Sequence, residues 1–220
     1  MGAIIRLDER HARAYVAEPD DPARGRILVV HDAFGLLPHV RFLCDELAGA
    51  GFVALAPDLF AGIVTRSGAQ ASRLLEELTP DRAERLLAAA LRGFDAVGHG
   101  SGPSAVIGFS IGAEFGFGLA ARRAVQAIVS YYGMPTNGPE DAIVVPLLAH
   151  WAEHDEWDDD ARPERFVADL LARGVDVTSH HYPGTSHGFA NADIAVFDLY
   201  SAERAWHRTV DFLSDRLTAA

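Results

Sequence analysis

Cysteine is almost missing from this sequence: Cys44 is the only one in 220 residues. That excludes an internal disulfide framework and a cysteine-rich zinc site. A lone thiol suits a reducing compartment, so the cytoplasm is the expected location. Positive charge is scarce as well. Lys and Arg number 19 against 31 Asp and Glu, the net charge is −12, and no basic run occurs. Nucleic acid and anionic membrane surfaces are therefore not expected as partners. Long apolar runs are also lacking. Residues 105–121 come nearest to the roughly 18 that a membrane helix needs, and Glu114 interrupts them. Residues 1–10 alternate apolar with charged side chains and lack the apolar stretch of a signal peptide. No internal repeat, Pro/Ser-rich linker or composition shift divides the chain. One domain spanning residues 1–220 is the expectation.

What is present is enough apolar material for a sizeable core: 49% of the residues are hydrophobic. Short β-type runs alternate with helical ones. Residues 14–17 read as a strand. Residues 27–31 (ILVVH) are a continuous apolar run, the mark of a strand buried on both faces. Pro38 opens a helix with Val40, Leu43, Cys44 and Leu47 as its buried stripe, and 52–56 is the next strand. Residues 72–78 read as a short helix. Thr79-Pro80-Asp81 starts a second, continued by Leu87, Ala90, Leu91 and Phe94. Strand 104–109 leads into helix 111–122, where Gly116 and Gly118 are expected to let the helix approach the sheet. Strands follow at 127–131, 144–150 and 175–182, with helices at 162–173 and at the C-terminus. This alternation predicts an α/β fold, a mostly parallel sheet with helices on both faces and no large lid. In such sheets ligands bind at the carboxyl ends of the strands.

The residues at those ends carry chemistry. Gly108-Phe109-Ser110-Ile111-Gly112 is G-x-S-x-G at a strand-to-helix junction, the context of a nucleophile elbow. The turn is tight, so its neighbours must be small. It also sets Ser110 at a helix N-terminus, where amides favour developing negative charge. A serine needs a base, and the base needs a carboxylate to fix its tautomer. In hydrolase order these come later in the chain. His187, in Ser186-His187-Gly188-Phe189, is assigned as base. Asp155 is assigned as acid, with Asp158 in the same acidic loop as the rival. The oxyanion needs two amides: Ile111, the residue after the nucleophile, and by position Ala33 in the loop after strand 27–31. Phe34, Leu37, Trp157 and Phe189 flank these residues and are expected either to line an acyl pocket or to pack its rim. Glu114, one helical turn beyond Ser110, borders the pocket or pairs with a cation.

Taken together, His31-Asp32-Ala33-Phe34-Gly35, Ala56-Pro57-Asp58-Leu59-Phe60, the elbow, Tyr131-Tyr132-Gly133, the Asp155 loop and Ser186-His187-Gly188-Phe189 resemble the dienelactone hydrolase family of α/β hydrolases. The resemblance implies a Cys/Ser–His–Asp triad, hydrolysis of small esters or lactones, no metal and no cofactor. Two departures stand out. The name-giving members carry a cysteine nucleophile restrained by a glutamate, whereas this chain has Ser110 and, at the matching position, Asp32. Two roles are open for Asp32: a helper near the pocket, or a cap for the following helix. Those members also hold a substrate carboxylate with an arginine that corresponds here to Asn191. Arg66 and Arg73 are the candidate replacements, and a neutral ester or lactone is the better-fitting substrate.

Other residues have plainer readings. Cys44 lies on an apolar stripe and reads as core. His180 and His181 are adjacent in a strand, point to opposite faces and cannot share an ion; His150 and His154 straddle a strand end. No metal site is expected, and the run 158–160 reads as a solvated loop. The function expected is a serine hydrolase cleaving small esters or lactones through an acyl-enzyme. The alternatives are a thioesterase or acyltransferase with the same triad, and a non-enzymatic ligand-binding protein on the same scaffold. The oligomeric state is open, a homodimer included.

Overall fold

The computed structural model describes residues 1–136, 142–156 and 162–217. They form two compact units: Met1–Ser104 together with Leu217, and Ala105–Arg216.

The first unit contains β1 (Ala3–Arg6), β2 (Arg13–Ala17), β3 (Arg26–Val30), α1 (Pro38–Gly49), β4 (Val53–Pro57), α2 (Gly68–Glu77) and α3 (Pro80–Ala96). Its strands lie in the order β1-β2-β4-β3. β3 and β4 are parallel, while β2 is antiparallel to β4 and β1 to β2. Every residue of β4 is buried, as a strand between two helical layers requires. The Tyr15 hydroxyl donates to Asp45 of α1 at 2.9 Å. On the other side, a Cβ on Gly93 of α3 would come within 3.0 Å of Leu55. Tyr15 pairs with Ala56, so it faces away from Leu55. Hence α1 and α3 cover opposite faces.

Local signals account for the helix starts. Pro38 opens α1, and the Thr79 hydroxyl accepts the Arg82 N–H at 3.3 Å to cap α3, with Pro80 next. The buried stripe of α1 holds Val40, Cys44 and Leu47 as expected. His39 joins it, and Leu43 is only half-buried. Strand β1 was not expected. It is four residues long and mostly exposed at a sheet edge, so no apolar run marks it.

The second unit holds β5 (Ser104–Phe109), α4 (Ile111–Ala121), β6 (Ala127–Tyr131), β7 (Leu147–His154), α5 (Arg162–Ala172), β8 (Val177–Ser186) and α6 (Leu199–Arg216). β5, β6, β7 and β8 follow in that order, and all pair in parallel. A Cβ on Gly116 of α4 would meet Ile128 at 3.4 Å, and the Tyr131 hydroxyl bonds Thr209 of α6 at 2.8 Å. Residues 128 and 131 point to opposite faces of β6, so α4 and α6 cover both sides. This is the expected class: α/β, mostly parallel, with helices on both faces. Gly118 does not share the role of Gly116; only the tip of Arg122 comes near it, at 3.9 Å.

Two strands differ from the sequence reading. The one expected at 144–150 is Leu147–His154. Pro146 has no N–H for a ladder, so pairing begins after it. It then continues through polar residues, because β8 runs alongside as far as the His154–Ser186 pair. The strand expected at 175–182 is Val177–Ser186. The expected strand stops at Tyr182, before Pro183, but β8 is an edge strand, which tolerates proline, and an irregular register between Ala152 and His154 absorbs it. No helix among the described residues is long and apolar enough to cross a membrane.

Candidate active site

Ser110 is the single residue between β5 and α4. Its backbone sits at φ +53°, ψ −120°, a region that non-glycine residues avoid. Two bonds hold it there. Its N–H donates to the Tyr131 carbonyl at 2.9 Å, and its own carbonyl accepts the Ala113 N–H at 2.9 Å. Glycines supply the room. A Cβ on Gly108 would lie 2.4 Å from the Ala113 Cα, and one on Gly133 would lie 2.4 Å from the Ser110 carbonyl oxygen. The Ser110 side chain makes no capping bond to α4. Instead its Oγ lies 2.8 Å from Nε2 of His187.

His187 follows the last residue of β8, and Asp155 follows the last residue of β7, the neighbouring parallel strand. The His187 N–H donates to the His154 carbonyl at 3.0 Å, which ties the two strand ends. Nδ1 of His187 lies 2.8 Å from Oδ2 of Asp155. A carboxylate only accepts, so Nδ1 carries the proton and Nε2 is left to accept from the serine hydroxyl. Each of the two side chains is 18% exposed. The structure therefore brings Ser110, His187 and Asp155 into one hydrogen-bonded chain at three strand ends. The Ile111 N–H is at the first position of α4, among the amides that no carbonyl of the helix satisfies.

Aromatic residues close the site from behind. Tyr132 stands at φ +41° and is 1% exposed. Its ring lies 5.0 Å from that of His187 and 5.5 Å from that of Phe189. Phe189, expected either to line the pocket or to pack its rim, is fully enclosed between Tyr132 and Tyr182, one ring removed from the histidine. Tyr132 was missed as a site residue. Its signals were its place in the Tyr131-Tyr132-Gly133 segment and the glycine itself, which marks a close approach at a strand end.

Of the remaining expected residues, Asp32, Ala33, Phe34 and Leu37 lie in the first unit. Ala33 and Phe34 are partly exposed, and Leu37 is fully buried as the residue preceding α1. Asp32 does not cap α1; its Oδ1 accepts the Phe34 N–H at 2.9 Å and closes the loop on itself. His31 also shapes that loop. Its Nδ1–H donates to the Asp32 carbonyl at 2.7 Å, and Nε2 accepts the Leu59 N–H at 3.2 Å. Both partners require the neutral ring, and burial pushes its pKa down. Asn191, where the resemblance has an arginine, is fully buried, and its Oδ1 accepts the Asp193 N–H at 3.0 Å. Arg66 and Arg73 are exposed, and Glu114 is half-buried in the first turn of α4. Trp157 and Asp158 lie outside the described residues.

Cys44 is fully buried, and burial pushes its thiol pKa up. His150 is enclosed among Tyr182, Thr209 and the stacked ring of His180, and His181 reaches toward Glu164 at 3.6 Å. Among the described residues no three His, Cys, Asp or Glu side chains gather as a metal site requires.

Comparison with known proteins points the same way. The model of the dienelactone hydrolase family matches residues 12–217. "Protein usf" of Aquifex pyrophilus is 29% identical over 232 residues, covering 99% of this chain and all of that one. "Carboxymethylenebutenolidase 1" of Cupriavidus pinatubonensis is 25% identical over 214 residues, covering 91% of this chain and 90% of that one. A crystal structure of a dienelactone hydrolase-like promiscuous phosphotriesterase from metagenomic libraries superposes with a TM-score of 0.82. It shares 21% identity and covers 98% of each chain.

Proposed function

Because the chain belongs to the dienelactone hydrolase family of ester and lactone hydrolases, we propose that it cleaves small esters or lactones by serine catalysis through an acyl-enzyme. One observation carries this reading: the 2.8 Å contact from Ser110 Oγ to His187 Nε2, continued at 2.8 Å from His187 Nδ1 to Asp155. Ser110 Oγ attacks the carbonyl carbon while Nε2 of His187 takes its proton. Asp155 holds the tautomer and stabilises the imidazolium. The Ile111 amide, first in α4, donates to the tetrahedral oxyanion, a contact worth roughly 3 kcal/mol. His187 returns the proton to the leaving alkoxide, and the alcohol departs. Water then repeats the cycle on the acyl-enzyme and releases the acid. In a lactone the departing alcohol stays tethered to the acyl group.

Neutral substrates fit best. The side chain of Asn191 is committed to its own turn, and the chain carries a net charge of −12. The name of the Cupriavidus relative supports a lactone as one substrate class. Hydrolysis of a panel of short p-nitrophenyl esters, small lactones and acyl-thioesters, with and without Ser110→Ala, tests the reading. Ester or lactone turnover that disappears in the variant supports it. Turnover of thioesters alone replaces it with a thioesterase. Turnover that survives Ser110→Ala removes it.

A further inference from the structure

Neighbouring strands β5 and β6 are each followed by a non-glycine residue at positive φ: Ser110 at +53° and Tyr132 at +41°. The first is the elbow. The second calls for its own explanation, since a bulky side chain is disfavoured there and persists only where its surroundings over-determine it. Those surroundings are visible. The Tyr132 N–H donates to the His150 carbonyl at 2.8 Å. The Ser130 hydroxyl donates to the Gly133 carbonyl at 2.6 Å, and Gly133 presses on the Ser110 carbonyl. The Tyr132 ring packs edge-on against Phe189 and tilts against Phe109, at 6.2 Å from the latter. One strained turn thus delivers two contacts: backbone against the nucleophile turn, and an aromatic ring against the imidazole of His187.

We propose that Tyr132 is a positioning residue: its strained turn locks an aromatic ring against His187 and holds the imidazole within reach of Ser110 and Asp155 together. This rests on the serine-hydrolase reading above. The need is physical. A histidine that is 18% exposed has water as an alternative to its two partners. Rotation about its side-chain bonds would break both contacts, and proton transfer depends on sub-ångström placement. A rigid buried ring closes that exit on one side. A narrower aliphatic side chain leaves space for the swing.

The test compares wild type with Tyr132→Phe, Tyr132→Leu and Ser110→Ala in ester hydrolysis. Rates are expressed per active site, as titrated with a fluorophosphonate. Tyr132→Phe keeps the ring, and its kcat is expected to stay within about twofold. Tyr132→Leu is expected to lower kcat on the order of 10- to 100-fold with KM nearly unchanged. The downfield proton resonance of the His187 Nδ1–H should stay sharp in the phenylalanine variant and broaden in the leucine variant. If Tyr132→Leu does not fold, Tyr132→Met carries the same expectation. The proposal falls if the leucine variant matches wild type per titrated site, or if phenylalanine loses as much as leucine. Hydrolysis that survives Ser110→Ala removes the serine reading and this inference with it. Hydrolysis that needs Ser110 but ignores Tyr132→Leu removes the inference alone.

Discussion

Gly133 and Ser110 approach so closely that no side chain fits between them: a Cβ on Gly133 would lie 2.4 Å from the Ser110 carbonyl oxygen. The obstacle is backbone, which cannot rotate away. Gly133→Ala must therefore tilt the nucleophile turn or push β6 outward. We expect a stability loss of about 1–3 kcal/mol in urea unfolding and a larger proportional loss of kcat. An alanine variant with wild-type kcat would show that the elbow tolerates displacement.

Asp155→Asn keeps the shape of the side chain and reverses its hydrogen-bond polarity toward His187. The amide can donate to Nδ1, which moves the ring proton to Nε2, where it no longer accepts from Ser110. A fall in kcat of about 10⁴-fold with KM nearly unchanged is expected. Full activity in this variant would give the acid role to another carboxylate, and Asp158→Asn is the comparison to make.

Acid sensitivity should trace to buried histidines. His150 is held well below the usual histidine range, first by burial and then by the positive charges of His180 and Arg208. The unfolded chain takes a proton that folded His150 refuses. The stability it contributes is therefore present above about pH 6.5 and is lost as pH falls from there toward the folded value. The slope is about 1.4 kcal/mol per pH unit for each such group. Urea unfolding between pH 7 and 5 should be shallower in His150→Gln by about that amount. Equal slopes in the two proteins would assign the acid sensitivity elsewhere.

His31→Leu removes the acceptor for the Leu59 N–H and one of the donors to the Asp32 carbonyl, which keeps the Gly35 N–H at 3.3 Å. An unsatisfied buried amide costs about 1–3 kcal/mol. The urea midpoint should drop accordingly, and His31→Gln should recover part of the loss. A midpoint unchanged in His31→Leu would mean that the loop reorganises to satisfy the Leu59 amide.

Cys44 should be inert. It is fully buried, and its thiol is held protonated. A chromogenic disulfide reagent should find no thiol in the folded protein and one per chain in guanidinium. Rapid labelling of the folded protein would place Cys44 at an opening in the helical layer.

The sequence was most legible where one residue type has one use. Gly108, Ser110 and Gly112 at a strand-to-helix junction marked the elbow, and Ser186-His187-Gly188 marked the end of the last strand. The parallel core strands showed as unbroken apolar runs, because burial on both faces removes polar alternation. β1 was hidden by its exposure, and the true ends of β7 and β8 by Pro146 and Pro183, whose effect depends on whether the strand lies at an edge. Asp32 could not be resolved between two roles, since both use the same carboxylate; the N-cap of α1 is Leu37 with no side-chain cap bond, which excludes the helix-capping one. The positioning role proposed for Tyr132 was not legible from residue type, because backbone strain leaves no signature there; the glycine that follows marked the turn.

The most direct test of the central claim is peptide mapping after treatment with a fluorophosphonate, on the wild-type chain and on Ser110→Ala. One adduct per chain is expected, on Ser110 and absent in the variant. An unmodified protein, or an adduct on another residue, would contradict the claim.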